Sequence, residues 1–583
     1  MMKRIQLYHL LIGGSINNYT MKFEKNNLKY LTFILYLLLN VQQNFAVNTE
    51  AVYLQTDREV YVAGESLFYK LYIVNPNTKT YSSVSKTGYI TLQNVRNDNV
   101  LKIRILIDGG ASSGSILLPD TLSSGVYQLV AFSNLMRNYN INSLFTKEII
   151  ITNRYDKEFN YKLPRYSSGF TEMYNSSEIY INKECFSPRE KVVLNLGKNK
   201  GNLAVSVYED PQIKLNNKNI VETFSEIVSD TIVNKPIKYL VEDKAPVLTA
   251  KVIDENSGNP LKNVNVLLTT PDTVPNLQYQ TTDSTGSFHM LLSSYYDGKE
   301  LYFNVDGLDK QTRYKLIFDN KYNIERKWNP ELEVFNDESK YFSTSSKLFY
   351  INKYYSVIDN KANKPSKKTK FICPRLYNCD VTTVFPADFV QLKDFREIIS
   401  ELLPRVKLVN SNGVYGIYII NSVSSLPFQN QPAIFVDGVL IDNVGYIMDM
   451  GSEDINRIDI VDSERVYGNL VFQGVLSIIT NSKRKLKEIP YLTKNKIIND
   501  TVNYGESFKI TNEETNRNLK TPQLKQLLCW NPNVFSGDSD VVIEFFTSDY
   551  LSSYIIKIEG LTENGTPFYA IRTLKVEKNK DTK

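Results

Sequence analysis

Histidine is scarce in this sequence, which contains only His9 and His289 among 583 residues. Histidine is the most frequent general acid or base near neutral pH. General acid–base catalysis therefore has few candidate side chains in this sequence, although carboxylates alone can perform it. The sequence also lacks a His-Glu-x-x-His motif, a glycine-rich phosphate loop followed by Lys-Ser or Lys-Thr, and a calcium loop of the Asp-x-Asp-x-Asp-Gly kind. We therefore expect no enzymatic activity, no cofactor and no metal site.

One string, Gly110–Gly114, matches the Gly-x-Ser-x-Gly pattern of a serine-hydrolase elbow. That elbow needs a strand before it, a helix after it, and an acid and a histidine downstream. Here a strand pattern follows at Ser115–Pro119, so we interpret the string as a hairpin loop.

The sequence has no strong excess of one charge and no long apolar run beyond its N-terminal part. The net charge is +5, and the basic residues are spread among 63 acidic ones, so nucleic-acid binding is not indicated. The densest basic clusters, Lys364–Lys370 and Lys483–Lys487, lie between segments with strand patterns, and we interpret both as solvated linkers. No transmembrane helix is expected in the mature chain.

The N-terminal residues are typical of an export signal. From Met21 the sequence has a Lys-bearing start, an apolar run at Tyr30–Leu39 and a polar stretch that ends at Ala46. An apolar run of about ten residues fits a signal-peptide core and is too short to span a membrane. We expect Met21 to be the true start, residues 1–46 to form a leader, and the mature protein to be exported.

Cysteine is also scarce, with four residues. Cys373 and Cys379 are close enough in sequence to form a small disulfide loop, which an oxidising compartment favours, and two packed free thiols are the alternative. Cys185 and Cys529 are distant from each other and from this pair. The spacing does not fit a zinc site.

The sequence is rich in β-strand patterns. Tyr (39) and Phe (28) are abundant, and residues 53–153 alternate apolar and polar positions between recurring turns, as in a β-sandwich. Thr56–Glu65 (TDREVYVAGE) and Ser123–Phe132 (SSGVYQLVAF) resemble strands of the macroglobulin-like domain of the alpha-macroglobulin family. Glu178–Val241 and Tyr504–Val576 resemble further sandwiches of this type. The Cys-Gly-Glu-Gln thioester of that family's covalent trap is absent.

Residues 245–307 carry a second resemblance. A strand leads into the turn Asn256-Ser257-Gly258, Pro260 is expected to start the next strand, and Asp283–Phe288 is an Asp-x-Thr-Gly-x-Phe hairpin. These residues resemble the carboxypeptidase regulatory-like domain, a small transthyretin-like sandwich. The resemblance implies a spacer or binding support without catalytic residues.

Residues 389–487 carry the third resemblance. An apolar helical face at Leu392–Leu403 ends at Pro404, and strand patterns follow at Gly413–Asn421 and in the segment Gln431–Thr480. These elements resemble the plug domain of TonB-dependent outer-membrane receptors, and the positions that carry the resemblance are Asp437-Gly438-Val439, Asp454-Ile455, Tyr467-Gly468 and Gly474. The residues after Lys487 are too few for the many-stranded barrel of such a receptor. We therefore expect a plug fold that serves another purpose or works with a barrel on another chain.

The predicted fold is mainly β, with tandem β-sandwich modules of macroglobulin/Ig-like and transthyretin-like type and one small α+β plug-like domain. The predicted boundaries are 1–46 leader, 47–155 first sandwich, 156–244 second sandwich, 245–310 carboxypeptidase regulatory-like domain, 311–380 helix and linker, 381–488 plug-like domain, and 489–583 C-terminal sandwich.

Together these features predict a non-enzymatic cell-envelope protein of a Gram-negative bacterium of the Bacteroidetes type, which binds or scaffolds a partner at the outer membrane. The expected partner is an outer-membrane barrel or a surface ligand. Two alternatives are an accessory of a TonB-linked uptake system and a peptidase inhibitor or peptidase-associated protein. We expect the partner to contact exposed turns of the plug-like domain, at Asp437, Gly438, Asp442, Asn443, Tyr467, Gly468 and Asn469.

Limited proteolysis tests the predicted boundaries. Proteases cut exposed linkers with few backbone hydrogen bonds, so we expect the first cuts near Arg154–Lys162 and Ala362–Lys370. Mass spectrometry of the early fragments identifies the cut sites. Early cuts that fall instead within the strand patterns of residues 53–153 would contradict this division.

Overall fold

The described part of the chain consists mainly of β-sheets, as the sequence predicts. The computed structural model describes residues 49–156, 162–163, 179–198, 201–213, 215–227, 238–309, 312–324, 326, 328, 333–334, 339–359, 381–482, 484–510, 522–536 and 540–578. They form three β-sandwiches and one α+β domain. The predicted leader (1–46), the Lys364–Lys370 cluster and the pair Cys373 and Cys379 lie outside the described residues.

The first sandwich comprises residues 49–156. Its strands are β1 (Ala51–Thr56), β2 (Val60–Val62), β3 (Ser66–Val74), β4 (Thr87–Gln93), β5 (Asn99–Leu106), β6 (Ala111–Leu117), β7 (Gly125–Ser133) and β8 (Phe145–Thr152). The sheet β1-β3-β6 packs against the sheet β2-β8-β7-β4-β5 around a large apolar core. Gly114 pairs with Tyr69 of β3, so the Gly110–Gly114 string runs into a strand and is not the loop that we predicted.

The next strands do not form a sandwich by themselves. They are β9 (Lys162–Leu163), β10 (Tyr180–Ile181), β11 (Cys185–Phe186), β12 (Lys191–Asn195) and β13 (Gly201–Glu209). Helix α1 (Ile220–Glu226) follows; Asn219 caps it by accepting a hydrogen bond from the backbone N–H of Glu222.

The middle sandwich contains β14 (Val247–Asp254), β15 (Asn265–Thr269), β16 (Leu277–Thr281), β17 (Ser287–Leu291), β18 (Glu300–Asp306) and β19 (Tyr314–Phe318). The turns at Gly258 and Gly286 occur where the sequence predicts them, and both glycines have positive φ, of 72° and 73°. Pro260 makes only an isolated bridge to Ile253. The next strand therefore begins at Asn265 and not at Pro260.

The helix predicted within residues 311–380 is present as α2 (Ser339–Asp359), which follows the short strand β20 (Glu333–Val334). No helix among the described residues is both long enough and apolar enough to cross a bilayer.

The α+β domain comprises residues 381–494. Its elements are β21 (Thr382–Val384), α3 (Phe395–Leu402), β22 (Val406–Ser411), β23 (Val414–Ile419), β24 (Ala433–Val436), β25 (Val439–Ile441), β26 (Ile455–Tyr467), β27 (Leu470–Thr480), α4 (Arg484–Glu488) and α5 (Pro490–Lys494). One sheet has the order β21-β26-β27-β24-β25, and β22-β23 form a separate hairpin. Asp394 caps α3, whose apolar face is buried.

The basic cluster Lys483–Lys487 is not the solvated linker that we predicted. Residues 484–488 form α4, and Leu486 is 2% exposed in the core of the α+β domain. After α5 the chain forms β28 (Lys496–Ile498), which pairs with β18. The middle sandwich therefore consists of the sheets β17-β14-β19 and β16-β15-β18-β28, and two of its strands lie outside the predicted boundary at residue 310.

The second and the C-terminal sandwiches of the prediction are one sandwich in the structure. The last strands are β29 (Leu527–Ser536), β30 (Val542–Phe546), β31 (Ser553–Thr562) and β32 (Pro567–Val576). They join the early strands in the sheets β10-β12-β30 and β11-β32-β31-β13-β29. We call this unit the split sandwich, because the middle sandwich and the α+β domain are inserted between its two parts. Strand patterns reveal local elements but not which distant strands pair, so the sequence suggested two units.

A buried lysine joins the first sandwich to the split sandwich. Lys70 of β3 is fully buried, and its Nζ donates to the backbone oxygens of Leu203 and Pro532 and to the side chain of Asn202. Burial lowers the pKa of Lys70 to about 7.

The buried position of Lys70 predicts a pH dependence of stability. In the unfolded chain the lysine keeps its proton up to about pH 10.4, whereas in the folded chain its pKa is about 7. Because the folded state then binds fewer protons between these values, the free energy of unfolding rises with pH. From pH 7 to pH 9 we expect it to rise by about 1 kcal/mol per pH unit more in the natural chain than in Lys70→Met.

Urea unfolding at several pH values measures this difference. Lys407→Met is the control, since Lys407 is an exposed lysine of a strand, and its slope should match that of the natural chain. Equal slopes for the natural chain and Lys70→Met would contradict the titration of Lys70 in this range.

Candidate functional site

The predicted partner-binding residues lie in three turns of the α+β domain, and the first turn is buried. Asp437 and Gly438 connect β24 to β25, and their φ values of 47° and 83° fit the tight Asp-Gly turn that the sequence predicts. Asp437 is only 2% exposed. Its carboxylate accepts hydrogen bonds from the backbone N–H and the hydroxyl of Thr480, at 2.8 and 2.6 Å. The expectation of an exposed turn is therefore wrong for Asp437 and Gly438.

The middle sandwich covers this first turn. The backbone N–H of Asp272 donates to the carbonyl oxygen of Asp437 at 2.9 Å. A Cβ atom on Gly438 would lie 2.8 Å from both the backbone nitrogen and the backbone oxygen of Asp272. The turn thus needs glycine for its φ and for the close approach of the two domains.

The second turn, Tyr467-Gly468-Asn469, is exposed as predicted, but the middle sandwich also contacts it. The hydroxyl of Tyr279 in β16 accepts a hydrogen bond from the backbone N–H of Asn469 at 2.9 Å. The rings of Tyr279 and Tyr467 meet edge to face, with centroids 5.9 Å apart. The middle sandwich therefore covers one side of this turn.

The third turn, at Asp442 and Asn443, is exposed. The side chain of Asn443 accepts a hydrogen bond from the backbone N–H of Gly445 at 2.8 Å and so begins a short helical turn. Partner binding by the exposed turn residues stays a prediction.

An apolar interface fixes the α+β domain on the middle sandwich. Arg457 donates to the backbone oxygen of Thr273 at 2.9 Å, and the backbone N–H of Leu440 donates to the hydroxyl of Thr269 at 3.3 Å. The buried apolar side chains between the two domains are Leu267, Leu277, Ala433, Phe435, Leu440, Val461, Leu470 and Val475. One face of the β21-β26-β27-β24-β25 sheet is thus used for packing within the chain.

Several large apolar side chains of the α+β domain are exposed. They are Val414 (72% exposed), Val423 (91%), Leu426 (66%), Val466 (67%) and Val471 (56%), and we call them the free flank. Val466 and Val471 are directly paired across β26 and β27. Because side chains alternate along a strand, this pair faces away from the side of Tyr467 that meets the middle sandwich.

A concave region that the sequence does not predict lies between the first and middle sandwiches. It has a volume of about 800 Å³ and includes His289, the only histidine of the described residues. His289 Nδ1 lies 2.9 Å from the hydroxyl of Thr249 on the neighbouring strand. In the sequence, the isolated histidine was the one signal for this cleft. It does not predict the cleft, because the opposite wall comes from residues more than one hundred positions earlier.

Both carboxylates that line this cleft already accept hydrogen bonds from other groups of the chain. Asp319 binds the guanidinium of Arg137 through two hydrogen bonds of 2.6 and 2.9 Å, and the guanidinium also stacks on the ring of Tyr239 at 3.8 Å. Hydrogen bonds from the hydroxyl of Thr285 and from the backbone lower the pKa of Asp283. These carboxylates are therefore poor candidates for an acid–base pair.

Metal-ligating side chains do not converge in the part of the chain that the structure describes, where no group of three or more His, Cys, Asp or Glu residues could hold an ion. Cys185 and Cys529 are free thiols, and Cys529 is buried.

Comparison with known proteins gives only distant matches. No protein-family model matches the chain, and no curated protein does. Among solved structures, the chain is similar to Salmonella alpha-2-macroglobulin reacted with methylamine, with 8% identity and a TM-score of 0.23 over 91% of this chain and 39% of that chain. It is also similar to native Escherichia coli alpha-2-macroglobulin, with 8% identity and a TM-score of 0.23 over 91% and 40% of the two chains. This chain thus spans about two-fifths of the length of these proteins.

The contact at Gly438 predicts how the domain interface responds to an added methyl group. Gly438→Ala strains a positive φ and places Cβ against Asp272, whereas Gly413→Ala has the same φ of 83° with open space around it. We expect Gly438→Ala to lower the free energy of unfolding by about 2 kcal/mol more than Gly413→Ala. Urea unfolding measures both, and equal losses would contradict the close approach of the two domains.

Proposed function

We propose that this chain is an exported, non-enzymatic protein of a Gram-negative cell envelope that binds an outer-membrane barrel on another chain through its α+β, plug-like domain. The observation that carries the proposal is the free flank, whose apolar side chains are exposed although one face of the domain's main sheet is packed on the middle sandwich. Five such exposed side chains on one domain favour a protein partner, whereas single exposed ones need no explanation.

The domain is also well placed to present this surface. The interface with the middle sandwich and the insertion of the domain between β19 and β28 hold it by two chain connections. A surface held in a fixed orientation loses less conformational entropy on binding than one on a flexible tether.

The open edge of the β22-β23 hairpin adds a second mode of recognition. Among the described residues β22 pairs only with β23, which leaves one edge of β22 with unpaired backbone groups. A strand of a partner can extend such a sheet through main-chain hydrogen bonds.

Co-purification tests the proposal. A tagged natural chain should recover a barrel protein from detergent-solubilised outer membrane. The double variant Val423→Ser/Leu426→Ser should recover at least about tenfold less, because burying two such side chains contributes roughly 3 kcal/mol. Leu117→Ser, at a 69% exposed position of the first sandwich, is the matched control and should recover as much barrel as the natural chain.

Two results would overturn the proposal. One is recovery of the natural chain entirely in the periplasmic fraction without a barrel. The other is equal recovery of the barrel by the double variant and the natural chain, with thermal unfolding showing that all variants are folded.

A further inference from the structure

The cleft between the first and middle sandwiches has the size and chemistry of a ligand site, which is independent of the free flank. Its volume of about 800 Å³ lies within the range of small-molecule sites. One wall comes from the segment after β7 and includes Met136, Tyr139 and Ile141. The floor is the outer face of the sheet β17-β14-β19.

The floor is an ordered surface, because strand pairing fixes its side chains in two rows. Lys251 of β14 lies between Ser287 of β17 and Ile317 of β19. In the adjacent row Thr249 is paired with His289. Since residues two apart on a strand face the same side, both rows point into the cleft.

The groups left without a partner in this cleft are basic and apolar. Both carboxylates are engaged, Asp319 by Arg137 and Asp283 by its own hairpin. By contrast, the structure shows no hydrogen bond or ion pair for the Lys251 ammonium among the described residues, and Ile317 next to it is 47% exposed. His289 uses Nδ1 toward Thr249 and its ring contributes to lowering the pKa of Asp283, and the structure shows no hydrogen bond to its Nε2 among the described residues.

We propose that this cleft binds a small organic anion with an apolar or aromatic part. The anionic group contacts the Lys251 ammonium and His289 Nε2, and the apolar part packs between Ile317 on the floor and Tyr139 and Ile141 on the wall. An ammonium that is free to approach the anion from an apolar surface gives a stronger contact than the same charge in open water.

A pair of fluorescent probes tests this assignment. 8-Anilinonaphthalene-1-sulfonate carries an anionic group, and N-phenyl-1-naphthylamine has the same rings without it. We expect the full chain to bind the sulfonate at one site, and we expect Lys251→Met to raise its Kd about fivefold, while the Kd of the neutral probe changes by less than about twofold. Lys251→Arg should retain the affinity, because it keeps the charge.

Two controls separate this cleft from other surfaces. Lys262→Met removes an exposed charge of the same sandwich outside the cleft, and Val423→Ser/Leu426→Ser alters the free flank; neither should change the Kd of the sulfonate at the site. An unchanged Kd in Lys251→Met would overturn the proposal, and so would an equal weakening of both probes. Lys251→Met should recover as much barrel as the natural chain. Failure of the cleft proposal can therefore be distinguished from failure of the proposed function.

Discussion

The architecture depends on the pairing of β13 with two strands from the far end of the chain. Gly201–Glu209 lies between Leu527–Ser536 and Ser553–Thr562, and nearly all of its residues are buried. Without these neighbours, both edges of β13 would leave backbone donors and acceptors unpaired in an apolar environment, which is costly. Closing a loop of this length costs entropy, so the split sandwich becomes stable only when the two parts pack together.

This closure determines how the remaining domains are held. The middle sandwich and the α+β domain lie within the loop that the split sandwich closes, and the α+β domain is inserted in turn between β19 and β28 of the middle sandwich. Each inserted domain therefore has two chain connections and a packed interface. The Asp272 contact with Asp437 adds a buried polar contact between the middle sandwich and the α+β domain, and Lys70 adds one between the first sandwich and the split sandwich. The proposed partner surface and the proposed ligand cleft both depend on these fixed orientations.

Local structure could be predicted from the sequence, and distant pairing could not. The Asp283–Phe288 hairpin, the helix ended by Pro404 and the Asp437-Gly438 turn follow from residue preferences within a few positions, and all three are present. The burial of that turn depends on Asp272, more than 150 residues away, and the division into sandwiches depends on β13 pairing with β29 and β31. The cleft likewise needs the segment after β7 to meet β14 and β17. No local pattern encodes these contacts between distant segments, because an apolar strand can pair with many others.

Hydrogen–deuterium exchange of the β13 amides tests this central dependence most directly. If β13 is held between β29 and β31, its amides should exchange only through the same unfolding event that exposes the amides of β31, with equal free energies of opening. Fast exchange of Gly201–Glu209 in a chain whose Ser553–Thr562 amides stay protected would contradict the closure of the split sandwich.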